Sequence, residues 1–372
     1  MTSTPGVTGV AWRDDYDEER GVKLGEGTYG TVYRGRSKAT GELVAIKHVA
    51  LDVADETYDE DLAFVRREFD LLTQLATHAH VVGLLGVYQT RRRVRIVLEH
   101  CDTTLREWIR SRSPMGVGDV WATFRQLLCG VAHCHAHGVA HRDLTPKNVL
   151  LKGGTVKLGD FGMGRRMAGI SGAGAGAWLT PEVVTLWYRP PELLLGATTY
   201  GVEIDVWSCG CLLSEMITGL PLFPGESEIE MLFLIFRARG TPSAASRLCH
   251  LSCFRRDTFP QWSRAAAKER LREGHADAAI DAAGVELLEG LLACDPDARP
   301  TAQAALDAAR LAEAEAPAPA PAEAAETAPA EAAETETAEG VPAGEAVQVA
   351  DAGATAAGTA AEARGSEAVE CV

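Results

Sequence analysis

Aromatic residues make up only 6% of this 372-residue chain, and none stands after Thr301. Ile and Met are missing from that stretch as well, which is chiefly Ala, Glu, Pro, Gly and Thr. Such a segment cannot bury enough apolar surface to offset the entropy of ordering it, so residues 313–372 are expected to be a disordered acidic tail. The Pro residues between Pro317 and Pro329 work against a long helix there. Basic charge is scarce in the same region. From Leu311 onward 13 Asp and Glu stand against Arg364 alone, a net of −12, so about −4 of the total −16 belongs to the first 310 residues. The acidity is therefore a property of the tail, and the remainder is close to balanced. No segment combines clustered Lys and Arg with interleaved aromatics, which argues against a nucleic-acid surface. Arg91-Arg92-Arg93, the densest basic run, reads as a solvated hairpin tip between two apolar stretches.

The nine Cys include no CxxC pair and no even framework, and Cys101, Cys129, Cys134, Cys209, Cys211 and Cys294 lie within apolar patterns. That usage fits reduced thiols in the cytoplasm or nucleus. The opening MTSTPGVTG has neither the charged nor the apolar region of a secretory signal, so none is expected. No apolar run approaches the roughly 18 residues needed to span a bilayer. A soluble, intracellular protein is expected, with no membrane partner.

Residues 1–16 are polar and unpatterned and read as a flexible lead-in. Over 17–101, short β-branched alternating runs such as Thr31-Val32-Tyr33, Leu43 to Val49 and Val94 to Leu98 are separated by glycine-rich turns. One helix interrupts them, from about Asp61 to Ala76. Over 102–312 the pattern is mainly helical, with helices expected at Val120 to His137, Val202 to Thr218, Ser227 to Arg237 and Val285 to Leu292. A β-rich part followed by a helix-rich part predicts an α+β molecule of two unequal lobes, with a ligand cleft between them.

Gly25-Glu26-Gly27-Thr28-Tyr29-Gly30 fits GxGxxG and is followed by Thr31-Val32. Alone the pattern is weak, since glycine-rich hairpins without a ligand are common. It gains meaning from Val44-Ala45-Ile46-Lys47, where alternation places Ala45 and Lys47 on one strand face. A glycine turn lets backbone N–H groups approach phosphate oxygens, and the lysine adds positive charge. Phe64, Glu68, Leu71 and Leu75 recur at helical spacing, which puts a carboxylate in an apolar stripe. That is costly unless the charge is paired, and Lys47 is the natural partner. The most specific run is His141-Arg142-Asp143-Leu144-Thr145-Pro146-Lys147-Asn148, followed 12 residues after Asn148 by Asp160-Phe161-Gly162. Asp143 can accept a hydroxyl proton, and Asn148 and Asp160 are hard oxygen ligands suited to Mg²⁺.

On these residues the chain resembles the protein kinases over roughly residues 20–310. It is similar more narrowly to the cyclin-dependent kinases of the CMGC group, through GEGTYGTVY from Gly25, TPEVVTLWYRPPELLLG from Thr180, EIDVWSCGCLLSEMITGLPLFPG from Glu203, SEIEMLFLIFRARGTP from Ser227 and DPDARPTAQAAL from Asp295. The resemblance implies a bilobal fold with ATP between the lobes and transfer of its γ-phosphoryl to serine or threonine. It implies Lys47 and Glu68 as the ion pair, Asp143 as catalytic base with Thr185 beside it, and Asn148 and Asp160 as magnesium ligands. The nucleotide would be lined by Leu24, Gly25, Glu26, Gly27, Thr28, Tyr29, Gly30, Thr31, Val32, Ala45, Leu98 as gatekeeper, Glu99, Cys101 and Leu150, with the linker running Glu99-His100-Cys101.

The resemblance further implies an activating phosphate on Thr180, received by Arg67, Arg142 and Arg165, and inhibitory phosphorylation of Thr28 and Tyr29. Val183, Val184 and Arg189 match the pocket that selects proline after the target residue. The 61–76 helix occupies the place of a cyclin-docking element, but Leu62 to Glu68 keeps only the closing Arg-Glu of the usual signature. A cyclin-like activating partner is expected, in cell-cycle or transcription control. Asp205 would anchor the catalytic loop, and Glu192 with Arg299 would tie the activation segment to the lower lobe.

Three departures stand out. Thr145 replaces the lysine that serine/threonine kinases usually carry there, with Lys147 two residues later as a candidate replacement. This departure is the one feature favouring a partner-binding pseudokinase scaffold. Gly169 to Ala177 lengthens the activation segment, and the helical lobe is expected to end early, after Leu306, without an aromatic close. His133, His135, His137 and His141 read as part of the helix before the catalytic loop and not as a metal site.

Overall fold

The structure, a computed structural model, describes residues 7–8, 12–27, 30–51, 55, 58–113, 115–167, 186–244, 246–255, 259–266 and 281–315. The chain divides into Met1–Ala320 and Pro321–Val372, and the second unit lies wholly outside the described residues. Within the first, β1 (Val7–Thr8), β2 (Tyr16–Gly27), β3 (Gly30–Ser37), β4 (Leu43–Ala50), β5 (Leu84–Thr90) and β6 (Arg93–Glu99) form one sheet in the order β1-β5-β6-β4-β3-β2. Helix α1 (Tyr58–Leu75) interrupts the strands. It starts three residues earlier than its apolar stripe suggests, because Asp59, Glu60 and Asp61 sit at the positive end of the helix dipole.

The second lobe runs through β7 (Thr103–Thr104), α2 (Leu105–Arg112), α3 (Val117–Ala136), β8 (Val139–Ala140), β9 (Val149–Lys152), β10 (Thr155–Leu158) and β11 (Arg165–Arg166). It continues with α4 (Pro191–Leu194), α5 (Glu203–Thr218), α6 (Glu228–Arg239), α7 (Ala282–Leu291) and α8 (Ala302–Glu315). The expected β-rich and helix-rich halves are thus present, and the long helices lie where their periodicity put them.

Alternation along β4 does the positioning. Val44 and Ile46 are buried with Trp12, Tyr88 and Val97 on the outer face of the sheet, so Ala45 and Lys47 project from the opposite face. Within the expected flexible lead-in over 1–16, residues 7–8 and 12–16 are part of the fold, while 1–6 and 9–11 lie outside the described residues. Val7 and Thr8 pair in parallel with Val87 and Tyr88. Trp12 is only 8% exposed, with the Arg95 guanidinium 4.7 Å above its ring. Tyr88 donates its hydroxyl proton to Asp15 Oδ2 at 2.7 Å. No periodicity announces this strap, because its partners are single residues on strands far along the chain.

The lower lobe also ends differently from the expectation. Helix α8 continues nine residues past Leu306, to Glu315. Ala302, Ala305, Leu306 and Ala309 are buried where α8 packs on α3. A seam of small side chains lets the two helices approach closely, and no aromatic is needed to close the lobe. Arg299 makes a two-pronged contact with Glu192, Nη1 to Oε1 at 2.7 Å and Nη2 to Oε2 at 2.8 Å, both side chains buried. The fork geometry joins the segment ahead of α5 to the turn before α8.

Candidate active site

The cleft face of β4 presents Lys47, 7% exposed, to Glu68, 1% exposed, on α1. Lys47 Nζ lies 2.7 Å from Glu68 Oε1 and 3.1 Å from Asp160 Oδ1. Burial works against the ammonium charge, but the carboxylates of Asp160 and Glu68 outweigh it and raise the Lys47 pKa. In turn the Lys47 ammonium, against the effect of burial, holds the Asp160 carboxyl below its ordinary value. Glu68 Oε2 is buried with no hydrogen-bond partner, so Lys47 alone compensates that carboxylate among the described side chains.

Two backbone positions shape the lower wall. Asp160 sits at φ 55° and Arg142 at φ 71°, the only described non-glycine residues with positive φ. Such conformations persist only where the surroundings over-determine them. At Arg142 the determinant is Asp205, buried on α5, which accepts from the N–H of Arg142 at 2.8 Å (Oδ1) and of His141 at 2.8 Å (Oδ2). His135 Nε2 lies 2.9 Å from the same Oδ2. His141 bonds the Gly159 carbonyl through Nε2 at 2.9 Å, and its ring lies 4.7 Å from the buried Phe161 ring. Phe161 thereby seats Asp160 above the loop.

Asn148 donates through Nδ2 to the Asp143 carbonyl at 2.9 Å and to Asp143 Oδ2 at 2.7 Å. Burial raises the Asp143 pKa. The amide oxygen of Asn148 makes no hydrogen bond among the described residues. Asp160 exposes 49% of its side chain although it lies between the lobes, so its carboxylate borders open space within the cleft. A carboxylate and an amide oxygen beside such a space form a donor set that fits Mg²⁺.

The glycine turn agrees with that reading. A Cβ on Gly25 or Gly27 would meet nothing within 4 Å among the described residues, so the space beside these two positions is open and a ligand could approach the backbone there. Gly30 is different, with φ 147° and a would-be Cβ only 2.2 Å from the His48 carbonyl oxygen, which only glycine tolerates. Leu24, Gly25, Glu26 and Gly27 lie on β2, Gly30, Thr31 and Val32 on β3, and Ala45 on β4. Ala45 pairs with Leu98 on β6, and Cys101 follows that strand half-buried. Leu150 on β9 closes over Gly159. The Glu99 carboxylate is occupied, accepting from the Gly83 N–H at 2.7 Å and pairing with Lys157 at 2.7 Å and Lys152 at 3.2 Å. The Glu99 N–H is committed too, donating to the Gly83 carbonyl at 2.9 Å, so neither the side chain nor the N–H of Glu99 is left to meet a ligand.

Arg67 and Arg142 are close enough that, after burial, the Arg142 guanidinium is what lowers the Arg67 pKa. Arg142 also lies 5.4 Å from the Tyr200 ring, and Arg165 lies 5.9 Å from the Phe64 ring on α1. Arg189 is 3.3 Å from Glu228, and burial lowers its pKa. Lys147 is exposed and makes no ion pair among the described residues, while Thr145 is buried. Thr28, Tyr29, Thr180, Val183, Val184, Thr185 and Gly169 to Ala177 lie outside the described residues. His135 and Tyr200 escaped the sequence reading. The cue for His135 was its run with His133 and His137, which as a group pointed nowhere; Tyr200 carries no motif at all.

The model of the protein kinase domain matches residues 18–309. The chain belongs to that family. Membership fits the two-lobed frame, and the family as a whole works with ATP and magnesium.

Proposed function

We propose that this chain is an active, proline-directed serine/threonine kinase that transfers the γ-phosphoryl of ATP and is activated by a cyclin-like partner. The observation that carries the reading is the intact constellation of Lys47, Glu68, Asp143, Asn148 and Asp160 around one cleft. Lys47, held by Glu68, positions the nucleotide phosphates. Asn148 and Asp160 would hold magnesium, which neutralises phosphate charge when bound. Asp143 accepts the proton of the attacking hydroxyl, and Thr185 supports it.

A phosphate on Thr180 brings about −1.5 to −2 charges to Arg67, Arg142 and Arg165. These belong to α1, the catalytic loop and the segment after Gly162, so one phosphate can join all three and relieve the repulsion between Arg67 and Arg142. Phosphates on Thr28 and Tyr29 oppose ATP binding by like charge. Val183, Val184 and Arg189 receive the substrate proline. A partner docked on α1 keeps Glu68 turned toward Lys47. The test is phosphorylation of a Ser-Pro peptide against its Ser-Ala counterpart, with the purified partner present. Strong preference for the first is expected, and equal rates would overturn proline direction.

The buried Thr145 favours a second reading, a partner-binding pseudokinase scaffold. In the active reading Lys147, exposed in the same loop, supplies the cation that Thr145 cannot. Lys147→Ala is then expected to lower turnover about 10²-fold, as for one lost electrostatic contact to the transition state, with Tm unchanged. Turnover equal to the parent removes Lys147 from the mechanism.

A further inference from the structure

Away from the cleft, four imidazoles meet where the upper lobe is fastened to the lower. His78 and His80 lie on the loop that leaves α1, and His133 and His137 on the last turn of α3 and just past it. The rings of His78 and His133 stack 4.3 Å apart at 13°. His137 adds to the pile 4.3 Å from His133, and His80 lies 5.6 Å from His78. The backbone brings the two elements this close because α3 carries Gly130. A Cβ there would meet the His80 carbonyl oxygen at 2.8 Å.

One of the hydrogen bonds requires a neutral ring. His78 Nδ1 accepts from the His80 N–H at 3.2 Å, so its proton belongs on Nε2, 3.8 Å from Cys129 Sγ. His80 Nδ1 meets the Val156 carbonyl at 3.0 Å, and His137 Nδ1 the His133 carbonyl at 2.8 Å. His133 Nε2 is buried with no partner, so a proton placed there has nothing to bond.

The charged groups acting on His78 are the other three imidazoles and, from β10, Lys157, itself paired with Glu99 at 2.7 Å. On His133 the charged neighbour is His137. From α1, Leu75 makes a backbone hydrogen bond to His133 that partly offsets the effect of burial, and the Gln74 amide meets the His137 carbonyl at 3.5 Å. None of these is an anion facing the stack.

We propose that the four imidazoles form a proton-sensitive latch that fastens the end of α1 to α3 and is released by mild acid, which sets how firmly Glu68 is held against Lys47. Neutral rings stack as an apolar pile, whereas each added proton repels the next ring and the Lys157 ammonium. Burial first, then the neighbouring imidazoles, push His78 and His133 below their ordinary value. Because the folded values lie below the unfolded ones, the contribution of the latch is whole above about pH 6.5. It is lost as pH falls from there through the folded values. Each unit of depression is worth about tenfold in the docking constant.

The latch rests on the kinase reading only for its effect on turnover, so the test has two arms. Full-length parent and His133→Phe, which keeps an aromatic ring but cannot be protonated, are compared at pH 7.5 and 6.0 for Tm and, with the purified partner present, for peptide phosphorylation. His48 and His100 are present in both proteins, so their titration cancels. The parent is expected to lose several degrees more in Tm than the variant on acidification, and to show about a fivefold larger loss of turnover. Equal falls in Tm overturn the latch. A difference in Tm without a difference in the turnover ratio overturns its link to Glu68. Absence of transfer at either pH, with the Tm difference intact, sinks the kinase reading and leaves the latch standing. Should His133→Phe fail to fold, NMR titration of the parent decides; His78 and His133 titrating independently near the ordinary imidazole value refute the proposal.

Discussion

Asp143→Asn is expected to lower phosphoryl transfer about 10³-fold, within the range that a positioned general base contributes, while Tm stays the same or rises. The two parts of this result have separate causes. An asparagine keeps the size of the aspartate, and its amide can turn its oxygen toward Asn148 Nδ2, preserving the bond that is 2.7 Å long in the parent. The loop therefore keeps its shape and loses only its proton acceptor. Burial raises the pKa of Asp143, so its ionised form costs folding free energy at neutral pH. Asparagine removes that cost, which is why stability should not suffer. For the same reason the acid limb of the parent's kcat/KM profile is expected above the ordinary Asp value of about 4. Transfer within tenfold of the parent, with nucleotide still bound, would remove Asp143 from the mechanism.

The parts of this molecule that could be read in advance are those where chemistry leaves a periodic or contiguous trace. Lys47 was visible because β4 alternates, and Glu68 because a carboxylate interrupts an apolar helical stripe. His141 to Asn148 and Asp160 to Gly162 were visible because two carboxylates and an amide stand there in a fixed order and spacing that suits metal and proton chemistry. The strap around Trp12 left no such trace. Its energy comes from one indole against Val44, Ile46, Tyr88 and Val97, residues from three distant strands. The imidazole pile was hidden for the same reason: His133 and His137 were conspicuous, but their companions His78 and His80 lie more than 50 positions earlier. Nor does a reading by residue type reveal that the Glu99 side chain is committed to Lys157 and Gly83. The closing helix shows the opposite error, since poverty in aromatics signalled an end to the lobe where an alanine seam was enough to continue it.

Lys47→Met should abolish turnover and also destabilise the protein by about 3–5 kcal/mol, because it leaves a buried charge without its partner. The loss has a pH signature. Burial already raises the Glu68 pKa, and with the Lys47 ammonium gone nothing among the described groups draws it back. The folded state of the variant then binds a proton on Glu68 more readily than the unfolded chain does. Its stability is retained at low pH and falls as pH rises through the elevated folded value. Urea midpoints measured at pH 6 and pH 8 should therefore diverge more in the variant than in the parent, with the variant weaker at pH 8. Adding Glu68→Leu should recover most of the stability, since an apolar side chain suits that pocket better than an orphaned carboxylate. It should recover none of the activity, because the phosphates still lack their cation. A double variant no more stable than Lys47→Met would mean that burial of Glu68 is not what the lysine offsets, and a Lys47→Met protein with parental turnover would displace Lys47 from the site altogether.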